Sequence, residues 1–310
     1  MFNAIPERYT KNGLSQLDVA FAMGRGRQQL DQGIDLQACE MKKWFDSNYH
    51  FVVPEISPNT QFKLNRNQPL EEYQEAKSYG ITTRPVFLGP VSYLVLSKAA
   101  RDAPSGYKPL SALDSLLPVY VEALKQLKDA GVENVQIDEP ILVQDIGETL
   151  SAEYTKAYKQ LAEVAPKITF TTYFGRIGKS VDFVKELPVH ALHIDLDRAP
   201  DQLDDVVAAV KSTKLVLELG VVSGRNIWKT DLAAAKKVAE KAINELGADR
   251  VVVATSSSLL HTPVTLTSET RLTPEQTAWL SFALEKCEEV ASLAQAIGGS
   301  ESDYFKQNTK

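Results

Sequence analysis

Cysteine and histidine are scarce in this chain. Two Cys (39 and 287) and four His (50, 190, 193 and 261) are spread over 310 residues. Two thiols in helix-like surroundings make no disulfide framework and fit a reducing compartment, so a cytoplasmic setting is expected. A tetrahedral zinc site needs three or four ligands from Cys, His and carboxylates. Enough such residues exist, but no C-x-x-C or H-E-x-x-H spacing gathers them. Long apolar runs are missing too, with nothing approaching the ~18 residues of a membrane span. The opening MFNAIPERYTKNGL has no basic segment leading into an apolar one, so no secretory leader is expected. Positive charge is in deficit: 34 Lys and Arg against 40 Asp and Glu give a net charge of −6. That balance lacks the basic footprint of a nucleic-acid-binding domain. Neither nucleic acid nor membrane is expected as a partner.

What the chain does have is alternation. Six short runs rich in Val, Ile, Thr and Phe read as strands: RPVFLGPV from Arg84, NVQIDEP from Asn134, ITFTTYFG from Ile168, ALHIDLD from Ala191, LVLELGVV from Leu215 and RVVVATSS from Arg250. YHFVVPEI from Tyr49 is a weaker one, broken by Pro54. Between them lie helical patterns. SALDSLLPVYVEALKQLKDAG puts Leu113, Leu116, Leu117, Tyr120, Leu124 and Leu127 on one stripe, with Pro118 predicting a kink or a start nearby. TDLAAAKKVAEKAINELG predicts a helix capped by Thr230 and closed by Gly247. TPEQTAWLSFALEKCEEVASLAQAIGG predicts one helix capped by Thr273, with Pro274 in its first position. The last residues, 300–310, are polar and expected to be disordered. Strand–helix alternation at this spacing predicts an α/β fold of the (β/α)8, TIM-barrel type. A doubly wound sheet is the rival, but GRGRQQ at Gly24 lacks the preceding strand and third glycine of a dinucleotide site.

Polar, Gly or Pro residues follow nearly every strand: Gly89 and Pro90, Asp138 and Glu139, Tyr173 and Phe174, Asp195 and Arg198, Arg225 and Asn226, and Ser256 to Ser258 with His261. In a parallel barrel those ends converge on one face, where ligands bind. Asp138 and Glu139 are adjacent, so in a strand they face opposite ways and make a poor two-carboxylate pair. One is expected to face the barrel mouth while the other caps a helix or pairs with a base. TSSSLLH supplies no defined acid for a triad, and His193 reads as a core histidine. A barrel hydrolase using Asp138, Asp195 or His261 stays open as an alternative on these residues alone.

In order along the chain stand KKWFDSNYHFVVPE, VFLGPVSYLVLSK, GVENVQIDEPILV, TTYFG, DRAPDQLD, GVVSGRNIWKTDL and VVVATSSSLLHTPV. Together they resemble the N-terminal domain of the cobalamin-independent methionine synthase family, its fungal members in particular, from Phe2 to about Gly298. The resemblance implies a barrel domain over 1–299 that lacks the family's first two strands, leaving an incomplete barrel of about six with exposed edges. It also implies methyl transfer from 5-methyltetrahydrofolate polyglutamate to homocysteine by the family's two-barrel chain. The zinc belongs to the C-terminal barrel. At the corresponding strand ends this chain has Thr172, Phe174, Asp195 and Ser257, so no metal or other cofactor is expected here. The matching folate-tail residue is Lys43, with Asp46 and Asn48 beside it as further candidates. A non-catalytic folate-binding protein, or a fragment acting with a complementary synthase chain, are the activities implied.

Overall fold

The computed structural model describes residues 1–10 and 13–308. All six predicted strands form, and they make one sheet. We number them β1 (Val86–Leu88), β2 (Asn134–Asp138), β3 (Lys167–Thr171), β4 (Ala191–Asp195), β5 (Val216–Val222) and β6 (Val251–Thr255). Their order across the sheet is the order of the chain. Each strand therefore lies beside its predecessor, and no reversal of strand order provides the crevice of a doubly wound fold. β4 runs parallel to β3 and β5, and β5 parallel to β6. This is the singly wound pattern of a TIM-type barrel with six strands among the described residues, an incomplete barrel. The two outermost strands leave valines open to solvent, with Val86 of β1 48% and Val252 of β6 40% exposed.

The pleat gives the sheet two unlike faces. Phe170, Leu192, Ile194, Leu217 and Leu219 share one face and are buried, the apolar side that helices cover. Thr169, Thr171, His193, Asp195 and Glu218 share the other and are also buried. Near-continuous burial explains why the strands read as apolar runs with polar residues set among them.

By internal contacts the chain divides into two compact units, Met1–Gln136 with Ala152–Pro166, and Ile137–Ser151 with Lys167–Lys310. In the first, Tyr9, Ala22, Ile34, Leu36 and Cys39 form a small core. Cys39 lies in an irregular segment, not the helix-like setting expected; only Cys287 is helical. Arg8 grips Glu55 with both terminal nitrogens, at 2.6 and 2.9 Å. The YHFVVPEI run splits at Pro54 into His50–Val52 and Glu55–Ile56, as a missing N–H requires. Helix α1 (Leu113–Asp129) buries the predicted leucine stripe and carries Pro118 inside it.

In the second unit, helix α2 (Leu232–Leu246) is capped by Asp231, whose carboxylate accepts from the Ala234 N–H, rather than by Thr230. The long predicted C-terminal helix is two helices. Thr273 caps Pro274–Ala278 with a full capping box, and α3 (Ala283–Ile297) follows after a break. Across that break the Ser281 N–H donates to Ile227 O at 2.8 Å, and the Lys229 N–H to Trp279 O at 2.9 Å. The backbone there bonds to a distant loop instead of to itself. The tail is a second correction: α4 (Asp303–Asn308) is helical and buries Phe305 against Leu232, Ala235, Leu293 and Ala296. The polarity of 300–310 concealed one anchoring aromatic; residues 309 and 310 lie outside the described residues. No helix among the described residues is long and apolar enough to cross a membrane.

Candidate functional site

The C-terminal ends of β3 to β6 carry a compact set of side chains within the second unit. Its foundation is Asp195, the last residue of β4 and fully buried. One carboxylate oxygen accepts from the Phe174 N–H at 2.8 Å, and the other from the N–H groups of Asp197 and Arg198 at 3.0 and 2.9 Å. Burial pushes this carboxyl above its ordinary range, against the pull of the Arg198 and Phe174 N–H groups. With both oxygens engaged by backbone, Asp195 tethers two loops and is a poor nucleophile or base. Arg198 takes part through its main chain, and its side chain is exposed.

The tether shapes the TTYFG turn. Phe174 adopts φ +73°, a left-handed conformation that costs a non-glycine residue about 1 kcal/mol or more. Its ring then sits between two others. The Arg225 guanidinium lies 4.9 Å from the ring centroid, and the His261 ring packs edge-on at 5.5 Å. Tyr173 packs against Phe174 from a buried position at 4.7 Å. Three loops thus meet at one aromatic ring, and cation–π attraction favours the Arg225 contact. In the sequence Phe174 stands among the strand-end residues of TTYFG, but nothing there assigns a role to its ring. Its one visible signal was the Gly175 that follows, which marks a turn.

The Arg225 loop is placed by an irregularity. The register of β5 against β6 shifts between Gly220 and Val222, a bulge that re-aims the strand end. Ser223 donates to Asp197 at 2.7 Å, the Gly224 N–H donates to the Ser256 hydroxyl at 3.1 Å, and Asn226 accepts the Trp228 N–H at 3.0 Å. Gly224 permits this contact, since a Cβ there would fall 2.5 Å from Ser257 O. His193 is a core histidine, as the sequence suggests. Its Nδ1 lies 2.9 Å from Thr172 O and its Nε2 2.9 Å from Thr255 O, joining the ends of β3 and β6.

Burial, and then the neighbouring Arg225 charge, hold the His261 imidazole below its usual range. A folded pKa below the unfolded value means that the unfolded chain takes up the proton first. The stabilisation is fully present above about pH 6.5 and declines as the pH falls through the lowered value. Replacing His261 by Gln is therefore expected to flatten the stability-versus-pH curve below pH 6.5, measured by urea unfolding at a series of pH values. An unchanged curve would contradict this reading.

The two carboxylates of IDEP differ in burial. Asp138 is half-buried, whereas Glu139 is completely buried and its N–H donates to Thr171 O at 2.8 Å. Lys43, Asp46 and Asn48 belong to the first unit. Lys43 ends the first strand of an antiparallel hairpin, Met41–Lys43 with His50–Val52, paired with His50. The tip is held by the Trp44 N–H to Tyr49 O at 2.7 Å, Ser47 to Trp44 O at 2.6 Å, and Trp44 edge-on to Phe45 and Phe51. Lys43, Asp46 and Asn48 are exposed on it.

Fold and site together define a TIM-barrel-type α/β protein with its polar groups gathered at the strand ends. Residues 1–247 match the family described as cobalamin-independent synthase, N-terminal domain, and the chain belongs to that family. It is 52% identical to the 5-methyltetrahydropteroyltriglutamate–homocysteine methyltransferase of Saccharomyces cerevisiae, covering 97% of this chain and 40% of that protein. For the protein of the same name from Salinibacter ruber the figures are 44%, 97% and 39%. The chain thus spans about 40% of the length of these relatives. Among solved structures, the B12-independent methionine synthase of Shewanella sp. W3-18-1, in complex with selenomethionine, superposes with a TM-score of 0.60 at 13% identity. That superposition covers 84% of this chain and 74% of that one. At that identity the likeness concerns the fold.

Proposed function

We infer that this chain serves as the folate-side domain of a cobalamin-independent methionine synthase, a cytoplasmic protein of methionine biosynthesis. The observation that carries the reading is the 52% identity over nearly the whole chain to a methyltransferase named for a triglutamate folate. In that role the domain holds the polyglutamate tail of 5-methyltetrahydropteroyltriglutamate, and the transfer of methyl to homocysteine is completed by a complementary part of the synthase. Lys43 is the tail residue. An exposed ammonium on a braced hairpin tip can meet several carboxylates as a point charge.

The chain by itself is proposed to bind the tail weakly and to transfer no methyl group. Supporting this, Thr172, Phe174, Asp195 and Ser257 do not make a zinc donor set. They include no thiolate or imidazole, and both oxygens of Asp195 already accept backbone N–H groups. Zinc chemistry in this reading belongs elsewhere in the synthase. Calorimetry with 5-methyltetrahydropteroyl mono- and triglutamate tests the binding role. The triglutamate is expected to bind more tightly, and Lys43→Ala to weaken it several-fold, as loss of an exposed charge pair does. Equal affinity for the two forms, unaffected by Lys43→Ala, would overturn the reading.

A further inference from the structure

The loop that presents Arg225 is anchored by residues far downstream of it, beyond the stretch matched by the family, which ends at residue 247. From Ile227 to Leu232 the main chain bonds to the C-terminal segment. Ile227 O accepts from the Ser281 N–H at 2.8 Å, and Trp228 O from the Lys286 ammonium at 3.0 Å. The Thr230 N–H donates to Glu289 at 3.1 Å. Asn308 then grips both sides of the helix start: its amide nitrogen donates to Thr230 O at 2.9 Å, and its oxygen accepts the Leu232 N–H at 3.1 Å. That bond satisfies one of the N–H groups that α2 leaves without a partner at its first turn.

The supports are themselves buried. Lys286 and Glu289 are fully buried on α3, and burial lowers the Lys286 ammonium below its usual range. Phe305 wedges α4 onto Leu232 and Ala235 of α2, and Lys236 reaches both the Phe305 ring and Glu301. A side-chain amide that bonds to two main-chain groups is specific in direction, unlike apolar contact. Two of the bonds that hold the segment, both at the start of α2, thus come from α4, while the others come from the 279–289 stretch.

We propose that α4 is a strap that holds the 227–232 segment, so that Asn308 is a positioning residue for Arg225 and thereby for the Phe174–Arg225–His261 stack. The 303–308 helix and the 227–232 segment open and close as one unit. This stands apart from the folate reading and survives if that fails.

Hydrogen exchange on the full chain tests it, with imidazole titration followed by NMR. In the unmodified protein, amides of 227–232 are expected to lose protection together with those of 303–308. Asn308→Ala should speed exchange in 227–232 on the order of ten-fold, the effect of losing two hydrogen bonds. It should also move the His261 midpoint upward as the Arg225 charge drifts away, leaving His190 in place. Asn308→Asp keeps the oxygen facing Leu232 and should fall between. If 303–308 exchanges freely while 227–232 stays protected, the strap is refuted, whether or not the variants fold. Folded Asn308→Ala with an unmoved His261 midpoint would refute it as well.

Discussion

Gly220→Ala is expected to destabilise the protein by about 3 kcal/mol, the upper end of what one added methyl costs in a packed interior. A Cβ at Gly220 would lie 2.7 Å from Ser256 Cα, 2.9 Å from Ile194 O and 3.0 Å from His193 Nε2. Two of these atoms are main chain of the neighbouring strands, which cannot rotate aside. The third is the ring that joins the ends of β3 and β6. Relief requires β4 and β6 to move apart around β5, at the bulge that aims the Arg225 loop. Gly24 is the matched control. No atom lies within 4 Å of its added Cβ, and it sits within the Gln16–Arg25 helix. Gly24→Ala should stabilise by roughly 0.5–1 kcal/mol through helix propensity. Urea unfolding of both variants decides the matter. Losses below about 0.5 kcal/mol for Gly220→Ala, the scale of a surface change, would mean that the strands yield more easily than close packing allows.

The elements legible in the sequence were those whose cause is local. The strands announce themselves as short runs rich in β-branched residues, most clearly β3 to β5, which are buried on both faces, and the leucine stripe of α1 follows from one buried helix face. Caps are nearly as local, and the shift from Thr230 to Asp231 is the choice between two adjacent oxygens that can each accept an N–H. The break between Ala278 and Ala283 was not legible. No residue there forbids a helix; the helix stops because Ile227 and Lys229 offer the backbone a better set of partners. The tail misled for a similar reason, since a polar segment with two adjacent aromatics, Tyr304 and Phe305, reads as loop until a pocket for Phe305 exists. The strand-end candidates divide along the same line. Their place at one end of the sheet follows from alternation alone. That Phe174, Arg225 and His261 meet while Asp195 underlies them depends on contacts between separate strands, and on a positive φ that no local motif announces.

Asp195→Ala is expected to cost about 3–5 kcal/mol and to release the strand-end stack with it. Three main-chain N–H groups, of Phe174, Asp197 and Arg198, converge on this buried carboxylate. Removing it leaves donors without partners at roughly 1–3 kcal/mol each, reduced where water can enter. The loss should not be confined to stability. Phe174 holds φ +73° while its N–H is fixed, and without the tether the turn can relax to a conformation ordinary for phenylalanine. Its ring would then leave the Arg225 guanidinium and the edge of His261. Asp195→Asn separates the two effects. It offers one acceptor oxygen in place of two and turns an NH2 toward N–H groups, so it should recover part of the stability at best. The measurement is chemical unfolding combined with NMR of the Phe174 ring protons. If Asp195→Ala lost stability while the Phe174 ring kept its contacts, the stack would be held by packing among Tyr173, Arg225 and His261. If both are lost together, the buried carboxylate is what converts the ends of β3 and β4 into a single site.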